Sequence, residues 1–227
     1  YDCDWPELQE IAWLKERRLR PGARAFDLGA NSGVFAMLLA DAVGPEGRVI
    51  AVEADPGDAA TIAENRDLNR LDQIEPIHAA VASTEGELVF GRHGSVDDGS
   101  RRWGDRRVPS VTIDGLAERH GPPDVVFVDI EGYEHEALRG AEMTLERGPD
   151  WYIEVHGDEE LAAYGSSCAA VIDVMRSAGY ELFAAPDSPY VLLADGSVGP
   201  ALPIAPLGEW PAELLHRRFF LLASRTG

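Results

Sequence analysis

The sequence is poor in features that define whole classes of proteins. Its two cysteines, Cys3 and Cys168, have neither the number nor the spacing of a disulfide framework or a zinc site. No apolar run approaches the roughly 20 residues that a membrane-spanning helix needs. No signal peptide is evident. These absences argue against a disulfide-stapled secreted domain and predict a cytoplasmic protein without a membrane partner.

Basic residues are also scarce. Twenty lysines and arginines stand against 40 acidic residues, which gives a formal charge of −20 at pH 7, and Lys15 is the only lysine. Such a chain repels nucleic-acid phosphates unless it carries a strong basic patch. The one basic cluster is the short run of Arg101, Arg102, Arg106 and Arg107. We therefore expect no nucleic-acid partner.

The length and apolar content suffice for one sizeable core. With 227 residues and 45% hydrophobic content, a single domain over residues 1–227 is expected. We divide it into an N-terminal helical segment (1–21), a core (22–185) and a C-terminal segment of strands and a loop insertion (186–227). Nothing in the sequence predicts an oligomeric state.

Strands and helices alternate along the core. Apolar runs predict strands at 24–28, 48–53, 74–79, 124–129 and 151–155, with shorter ones at 87–91 and 108–112. Helical spacing predicts helices at 7–19, 34–42, 57–69, 114–120, 133–146 and 169–178. The end of the chain is strand-rich, at 180–184, 190–194 and 219–223. This alternation predicts an α/β fold with a mainly parallel sheet covered by helices on both faces.

The turn between the first strand and the next helix is rich in glycine. It reads Asp27-Leu-Gly-Ala-Asn-Ser-Gly33, and glycine lets the backbone approach a nucleotide-like ligand closely. Glu53 ends the following strand, where an acid would bind a ribose diol. Asn31 and Val34 replace two glycines of the dinucleotide fingerprint, so S-adenosylmethionine fits better than a nicotinamide dinucleotide. The alternative is that the glycines only shape a strand-to-helix turn.

Several acidic groups and one histidine follow the predicted strands. Asp27, Glu53, Asp129, Glu154 and His156 all lie at or just beyond strand ends. In parallel sheets ligands bind beyond the carboxyl ends of the strands, at the point where the strand order reverses. We therefore expect these five side chains to converge on one rim of the sheet.

The most specific motif lies within residues 124–141. A hydrophobic strand is followed by Asp129-Ile-Glu-Gly-Tyr-Glu134 and then by Leu138-Arg-Gly-Ala141. Together with the glycine turn, this pattern resembles the FkbM-type S-adenosylmethionine-dependent methyltransferases. The resemblance covers about residues 22–185. It does not extend to the insertion at 186–211, and Ala54 stands where the family more often has proline.

The resemblance implies a Rossmann-like class I methyltransferase with a mainly parallel, seven-stranded sheet and S-adenosylmethionine as its cofactor. Glu53 is expected to accept both ribose hydroxyls, and Asp27 to orient the glycine turn and reach the methionine ammonium. Asp129 is expected beside the sulfonium methyl. The expected cofactor-binding residues are Asp27, Gly29, Asn31, Ser32, Gly33, Glu53, Ala54, Asp55, Ala80, Val81 and Asp129.

Methyl transfer to a hydroxyl is an in-line displacement that benefits from a general base. His156 is the leading candidate base and, with Glu131 and Asp129, forms the expected catalytic set. The alternative for His156 is a histidine that only caps the strand end. A divalent metal held by Asp129 with Glu154 or His156 is the main mechanistic alternative. The resemblance does not imply a metal, so a metal is possible but not favoured and no metal ligand is predicted.

The expected substrate is a small hydroxylated acceptor such as a sugar, a glycoside or a polyketide-like metabolite. N-methylation of an amino sugar or peptide, and a noncatalytic S-adenosylmethionine-binding protein, stay open as alternatives. The loop at 92–107, with Trp103, is expected either to cover the substrate or to be a plain exposed loop. Glu134 and Glu136 are expected on a charged helix face or in its first turn.

Overall fold

The computed structural model of the chain describes residues 8–90, 106–186, 190–192, 198–200, 203–212 and 215–225. Cys3, nearly all of the 92–107 loop including Trp103, and much of the 186–211 insertion lie outside these residues. The predictions made for those segments therefore stay predictions.

The described residues form a succession of strands and helices in close to the predicted order. The strands are β1 (Arg24–Leu28), β2 (Arg48–Glu53), β3 (Ile74–His78), β4 (Ala80–Val81), β5 (Gly86–Phe90), β6 (Arg106–Val111), β7 (Val125–Val128), β8 (Asp150–Val155), β9 (Glu181–Pro186), β10 (Tyr190–Leu192), β11 (Val198–Pro200), β12 (Ala205–Pro206) and β13 (Phe219–Ser224). The helices are α1 (Gln9–Lys15), α2 (Val34–Val43), α3 (Pro56–Asn69), α4 (Ile113–His120), α5 (Glu134–Arg139), α6 (Glu142–Arg147), α7 (Asp158–Ala162) and α8 (Cys168–Ser177), with a 3₁₀ turn at Leu207–Glu209.

The main sheet has eight strands in the order β12-β9-β13-β8-β7-β1-β2-β3. Strands β3, β2, β1, β7 and β8 are parallel to their neighbours, whereas β13 pairs antiparallel with both β8 and β9. The predicted mainly parallel sheet is confirmed, and the two-residue β12 extends its seven longer strands at one edge. The strand order reverses between β1 and β7, which is where a ligand site is expected.

The central strands are apolar on both sides because helices cover both faces of the sheet. All four residues of β7 are buried, as are all six of β8. Phe26 belongs to the core on one face, and Phe127 belongs to the core on the other. On that second face, Phe127 stacks on Tyr152 with ring centroids 4.1 Å apart. Continuous apolar strands of this kind are typical of parallel sheets buried between helical layers.

The helix predicted over 133–146 is instead two helices, α5 and α6, broken at Gly140 and Ala141. A Cβ on Gly140 would lie 2.5 Å from the carbonyl oxygen of Ala82, so the chain passes too close there for a side chain. Asp114 then accepts hydrogen bonds from the backbone N–H groups of Met143 and Thr144 at the start of α6. This new N-terminal cap replaces the helical hydrogen bonds that the break removes.

Smaller differences lie at the margins of the sheet. The N-terminal helix is shorter than predicted, and the short helix α7 was not anticipated. Strands β4, β5 and β6 form a separate three-stranded sheet, which includes the predicted strands at 87–91 and 108–112. Among the described helices, none combines the length and apolar character that crossing a bilayer requires.

Candidate active site

The glycine turn brings β1 against the end of β7. Gly29 has a φ of +87°, and a Cβ built there would lie 1.8 Å from the carbonyl oxygen of Asp129. The position therefore requires glycine for its conformation and for its space. Gly33 has the same φ of +87° and packs against Ile62 of α3. These two glycines let the turn pack closely between the end of β7 and helix α3.

Glu53, the last residue of β2, ties two turns together. Its carboxylate accepts the backbone N–H of Asn31 at 2.8 Å and that of Asp55 at 2.7 Å. Burial raises the pKa of Glu53, although these backbone hydrogen bonds oppose the shift. Asn31 is itself in the left-handed region, with a φ of +47°, and accepts the N–H of Ser32 through its side chain. The two predicted segments are therefore hydrogen-bonded to each other.

Asp27 lies beneath this turn, inside the protein. Both of its carboxylate oxygens are buried and make no well-formed hydrogen bond among the described residues, although the backbone N–H of Ala36 is near enough to oppose the rise in pKa. Burial, followed by the charges of Asp129 and Glu53, raises the pKa of Asp27 to about 8. A buried carboxylate without a well-formed hydrogen bond is unusual in a folded protein and calls for a ligand, a water or a proton.

The predicted adenine-side residues follow β2 and β3. Ala54 and Ala80 are both buried and pack with Val108 in one small apolar cluster. Val81 is buried in the main core instead. Asp55 has a structural role as well, because its carboxylate caps α3 by accepting the N–H groups of Gly57 and Asp58. The remaining predicted cofactor residues lie on or next to the glycine turn.

The predicted catalytic residues meet at the ends of β7 and β8. The His156 Nε2 atom is 3.5 Å from Oδ1 of Asp129 and 3.3 Å from Oε2 of Glu131. Glu131 is half-exposed and has a φ of +55°, a rare conformation for a residue other than glycine. Unusual backbone conformations of this kind concentrate at functional sites. The proximity of His156 lowers the pKa of Glu131.

Glu134 also belongs to this group, and of the two positions expected for it, a charged helix face or the first helical turn, the structure shows the first turn. It is fully buried at the first position of α5. One of its oxygens lies 2.8 Å from Nδ1 of His156 and also accepts the N–H of Gly132. Burial alone would lower the pKa of His156, but the carboxylates of Glu131 and Glu134 raise it to about 10.

Glu154 and Arg218 complete the cluster. Two nitrogens of the Arg218 guanidinium contact the Oε1 atom of Glu154, which lies 4.0 Å from Nε2 of His156. Burial and the charge of Glu154 raise the pKa of Asp129 to about 7. Arg218 was not anticipated from the sequence, because it reaches the site only through the pairing of Phe219 with Val155. Glu134, in contrast, stood within the Asp129–Glu134 motif.

Three features together define the class of this protein: the strand order of the main sheet, the glycine turn after β1, and the acidic residues at the ends of the strands. This is the arrangement of the class I, S-adenosylmethionine-dependent methyltransferase domains, and the predicted fold class and cofactor are confirmed. The chain belongs to the FkbM methyltransferase family, whose methyltransferase FkbM domain matches residues 27–182.

Curated relatives match parts of the chain. It is 26% identical over 136 residues to the hexuronic acid methyltransferase AglP of Haloferax volcanii. The matched region covers 58% of this chain and 55% of AglP. It is 34% identical over 87 residues to a protein-L-isoaspartate O-methyltransferase of Triticum aestivum, which covers 38% of this chain and 33% of that protein. The chain therefore spans between a third and about half of the length of these relatives.

Solved structures share the fold at low sequence identity. A methyltransferase FkbM from Methylobacillus flagellatus matches with a TM-score of 0.53 and 14% identity, covering 93% of this chain and 50% of that one. A precorrin-6y C5,15-methyltransferase from Geobacter metallireducens matches with a TM-score of 0.55 and 11% identity, covering 100% and 92%. At such identities the comparison shows the fold alone.

Proposed function

We propose that this chain transfers the methyl group of S-adenosylmethionine to a hydroxyl of a small metabolite, with a sugar or sugar acid as the favoured acceptor. The observation that carries the proposal is the packing of Gly29 against the Asp129 backbone. This contact joins the turn that holds a cofactor to the cluster around His156. The relative from Haloferax volcanii is named for a hexuronic acid, which supports the choice of a sugar acceptor.

The glycine turn supplies the groups for the cofactor. Each Glu53 oxygen accepts one backbone N–H and keeps a further lone pair for a ribose hydroxyl. The buried Asp27 carboxylate suits the ammonium of the methionine moiety, and the small side chains of Ala54 and Ala80 suit the flat face of adenine. Gly29, Asn31, Ser32 and Gly33 contribute backbone groups to the same space.

The His156 cluster supplies the groups for the acceptor. Glu134 occupies Nδ1, so Nε2 is the nitrogen that faces Asp129 and Glu131. Because the pKa of His156 is raised to about 10, Nε2 carries a proton at neutral pH. A hydroxyl bound there would therefore have a donor on the Nε2 side and proton-accepting carboxylates on the other. In-line attack needs this hydroxyl held against the sulfonium methyl, and that positioning supplies most of the rate.

The experiment is a mass-spectrometric screen with S-adenosylmethionine and a panel of sugars, uronic acids, amino sugars and polyphenols. A mass gain of about 14 on a neutral or acidic sugar, assigned to oxygen by fragmentation, is the expected result. Transfer to nitrogen would favour the N-methyltransferase instead. Cofactor binding without turnover on any compound of the panel would favour a noncatalytic binding protein.

A matched pair of histidine variants ties turnover to the site. His156→Gln should lower turnover at least about a hundredfold, because it removes the cation that orders Asp129 and Glu131 around the acceptor, and misplacement of about 1 Å can cost that much. His216 is exposed and also faces a carboxylate, at 2.7 Å from Asp158, so His216→Gln is the control and should leave turnover unchanged. Equal activity of the two variants would remove His156 from the catalytic set.

A further inference from the structure

Two buried polar atoms at the end of the sheet point at each other without forming a hydrogen bond. The His156 side chain is 2% exposed, and its Nε2 atom makes no well-formed hydrogen bond among the described residues, although Oε2 of Glu131 lies 3.3 Å away. Oδ1 of Asp129 likewise makes no well-formed hydrogen bond within the described part of the chain. Such orphaned groups are rare in folded proteins, and an ion is one of the few things that satisfies a nitrogen and an anionic oxygen together.

The spacing of the atoms suits an ion between them better than direct contact. Nε2 lies 3.3 Å from Glu131, 3.5 Å from Asp129 and 4.0 Å from Glu154, whereas charged N–H···O bonds are about 2.7–2.9 Å long. Around an ion with ligands at about 2.1 Å, neighbouring ligand atoms are about 3.0–3.4 Å apart and opposite ones about 4.2 Å apart. The distances from Nε2 to Asp129 and Glu154 lie close to this range. One ligand atom from each of Asp129, Glu154 and His156 lies within 4.8 Å of the other two, so a small inward shift of the side chains would close them around an ion.

The surrounding residues already hold the three side chains in place. Glu134 fixes the His156 ring through Nδ1 and is itself held by the Gly132 N–H. A carboxylate on the second nitrogen is the usual support of a metal-binding histidine, because it fixes the ring and makes the free nitrogen more basic. Two nitrogens of Arg218 contact Oε1 of Glu154, which positions this carboxylate but also places a cation beside it, so Glu154 would offer the ion its other oxygen.

We propose that Asp129, Glu154 and His156 bind a divalent transition-metal ion of the Mn²⁺ or Zn²⁺ class. The imidazole nitrogen favours such ions over Mg²⁺ and Ca²⁺, which prefer ligand sets made of oxygen alone. Binding releases the Nε2 proton of His156 to solvent, leaves the other ring proton on Nδ1, toward Glu134, and donates the freed Nε2 lone pair to the ion. The sequence did not favour a metal, because the family resemblance does not imply one.

The role of the ion rests on the proposed function. A metal-bound hydroxyl is more acidic than a free one, so the ion would prepare the acceptor oxygen for attack on the methyl group. The chain's own residues would then hold the ion and orient the acceptor, and Glu131, which is not a ligand, would take the hydroxyl proton as the methyl–oxygen bond forms and the methyl–sulfur bond breaks. Binding itself is independent of this role and is measured without cofactor or acceptor.

The test is a titration of chelator-treated protein with Mn²⁺, in which electron paramagnetic resonance counts the free ion. We expect one site per chain in the unmodified protein. Asp129→Asn and His156→Gln should each weaken it at least about tenfold, and Glu134→Gln, which spares the three ligands, should also weaken it about tenfold or more. His216→Gln is the matched control and should bind as the unmodified protein does. Thermal unfolding of each variant checks that it is folded.

The outcomes separate this proposal from the proposed function. Folded, unmodified protein that binds no Mn²⁺ up to about 1 mM, a concentration that corresponds to only about 4 kcal/mol of binding free energy, overturns the metal site. Binding that survives both His156→Gln and Asp129→Asn overturns it as well. Calorimetry with S-adenosylmethionine on the same samples tests the proposed function separately, since the Glu53 turn contains none of the three ligands.

Discussion

Asp27 is the residue whose charge depends most on what lies beside it. It is buried, its oxygens make no well-formed hydrogen bond among the described residues, and its pKa is raised to about 8. The free protein therefore carries a neutral Asp27 at pH 7. A cofactor ammonium would favour the charged carboxylate, so cofactor binding should release a proton from this residue.

The first prediction is that cofactor binding depends on pH, because Asp27 must lose its proton when the cofactor binds. Affinity for S-adenosylmethionine should rise by up to about tenfold between pH 6 and pH 7, because the carboxyl must ionise below its raised pKa while the cofactor amine stays protonated. Isothermal calorimetry across this range measures it. Asp27→Asn cannot ionise, so its affinity should be weaker and should lose this slope. An unchanged slope in the variant would separate Asp27 from the ammonium.

The second prediction concerns the acid at the end of β2. Glu53→Ala should weaken S-adenosylmethionine binding at least about tenfold, because it removes charged hydrogen bonds to the ribose and two backbone anchors. Asp67→Ala, at an exposed acidic position of α3, is the control and should bind normally. Calorimetry decides, and equal affinities for the two variants would place the ribose elsewhere.

At the scale of elements, the close contact between the turn after β1 and the end of β7 depends on the absence of a side chain at Gly29. Gly29 and Gly22 have nearly the same positive φ, +87° and +85°, but only Gly29 has an obstacle within 4 Å. Gly22→Ala should therefore cost about 1–2 kcal/mol of unfolding free energy, the cost of the left-handed conformation alone. Gly29→Ala should cost at least about 3 kcal/mol, because the Asp129 carbonyl must also move.

Chemical denaturation of the two variants measures that difference. If both lose the same stability, the close approach of the two strands is not what requires glycine at position 29. If Gly29→Ala is folded but fails to bind the cofactor, the strain has moved into the turn rather than into the sheet.

Elements defined by local pattern could be predicted, and those defined by distant contacts could not. The apolar run of β7 and the glycine turn after β1 carry their own signals, so the fold was predicted from them, and the cofactor-binding residues stay a prediction that depends on the same turn. The break between α5 and α6 lies at Gly140, where the backbone of Ala82, far away in the sequence, leaves no space for a side chain. The first-turn position of Glu134 could be predicted, but its burial against His156 could not. Arg218 enters the site only through a strand pairing that no local pattern shows.

At the scale of the whole molecule, the net charge selects among acceptors. A formal charge of −20 repels anions over about 30 Å at 10 mM salt but over only about 8 Å at 150 mM. The KM for a uronic acid should therefore fall at least about twofold over this range, while that of a neutral sugar stays constant. Steady-state kinetics in the two buffers measures it. A KM that rises with salt would mean that local cations, such as Arg218, govern acceptor binding.

The position of β13 also bears on how the protein reaches this structure. β13 lies between β8 and β9, and Phe219 pairs with Val155 across more than 60 residues of chain. Strand pairings between such distant segments close large loops, so they are intrinsically slow. Until β13 inserts, β8 and β9 have no partner at their facing edges, and Arg218 is away from Glu154. The cofactor half should therefore gain hydrogen-exchange protection first during refolding, and catalytic competence should appear only with the later protection of β13.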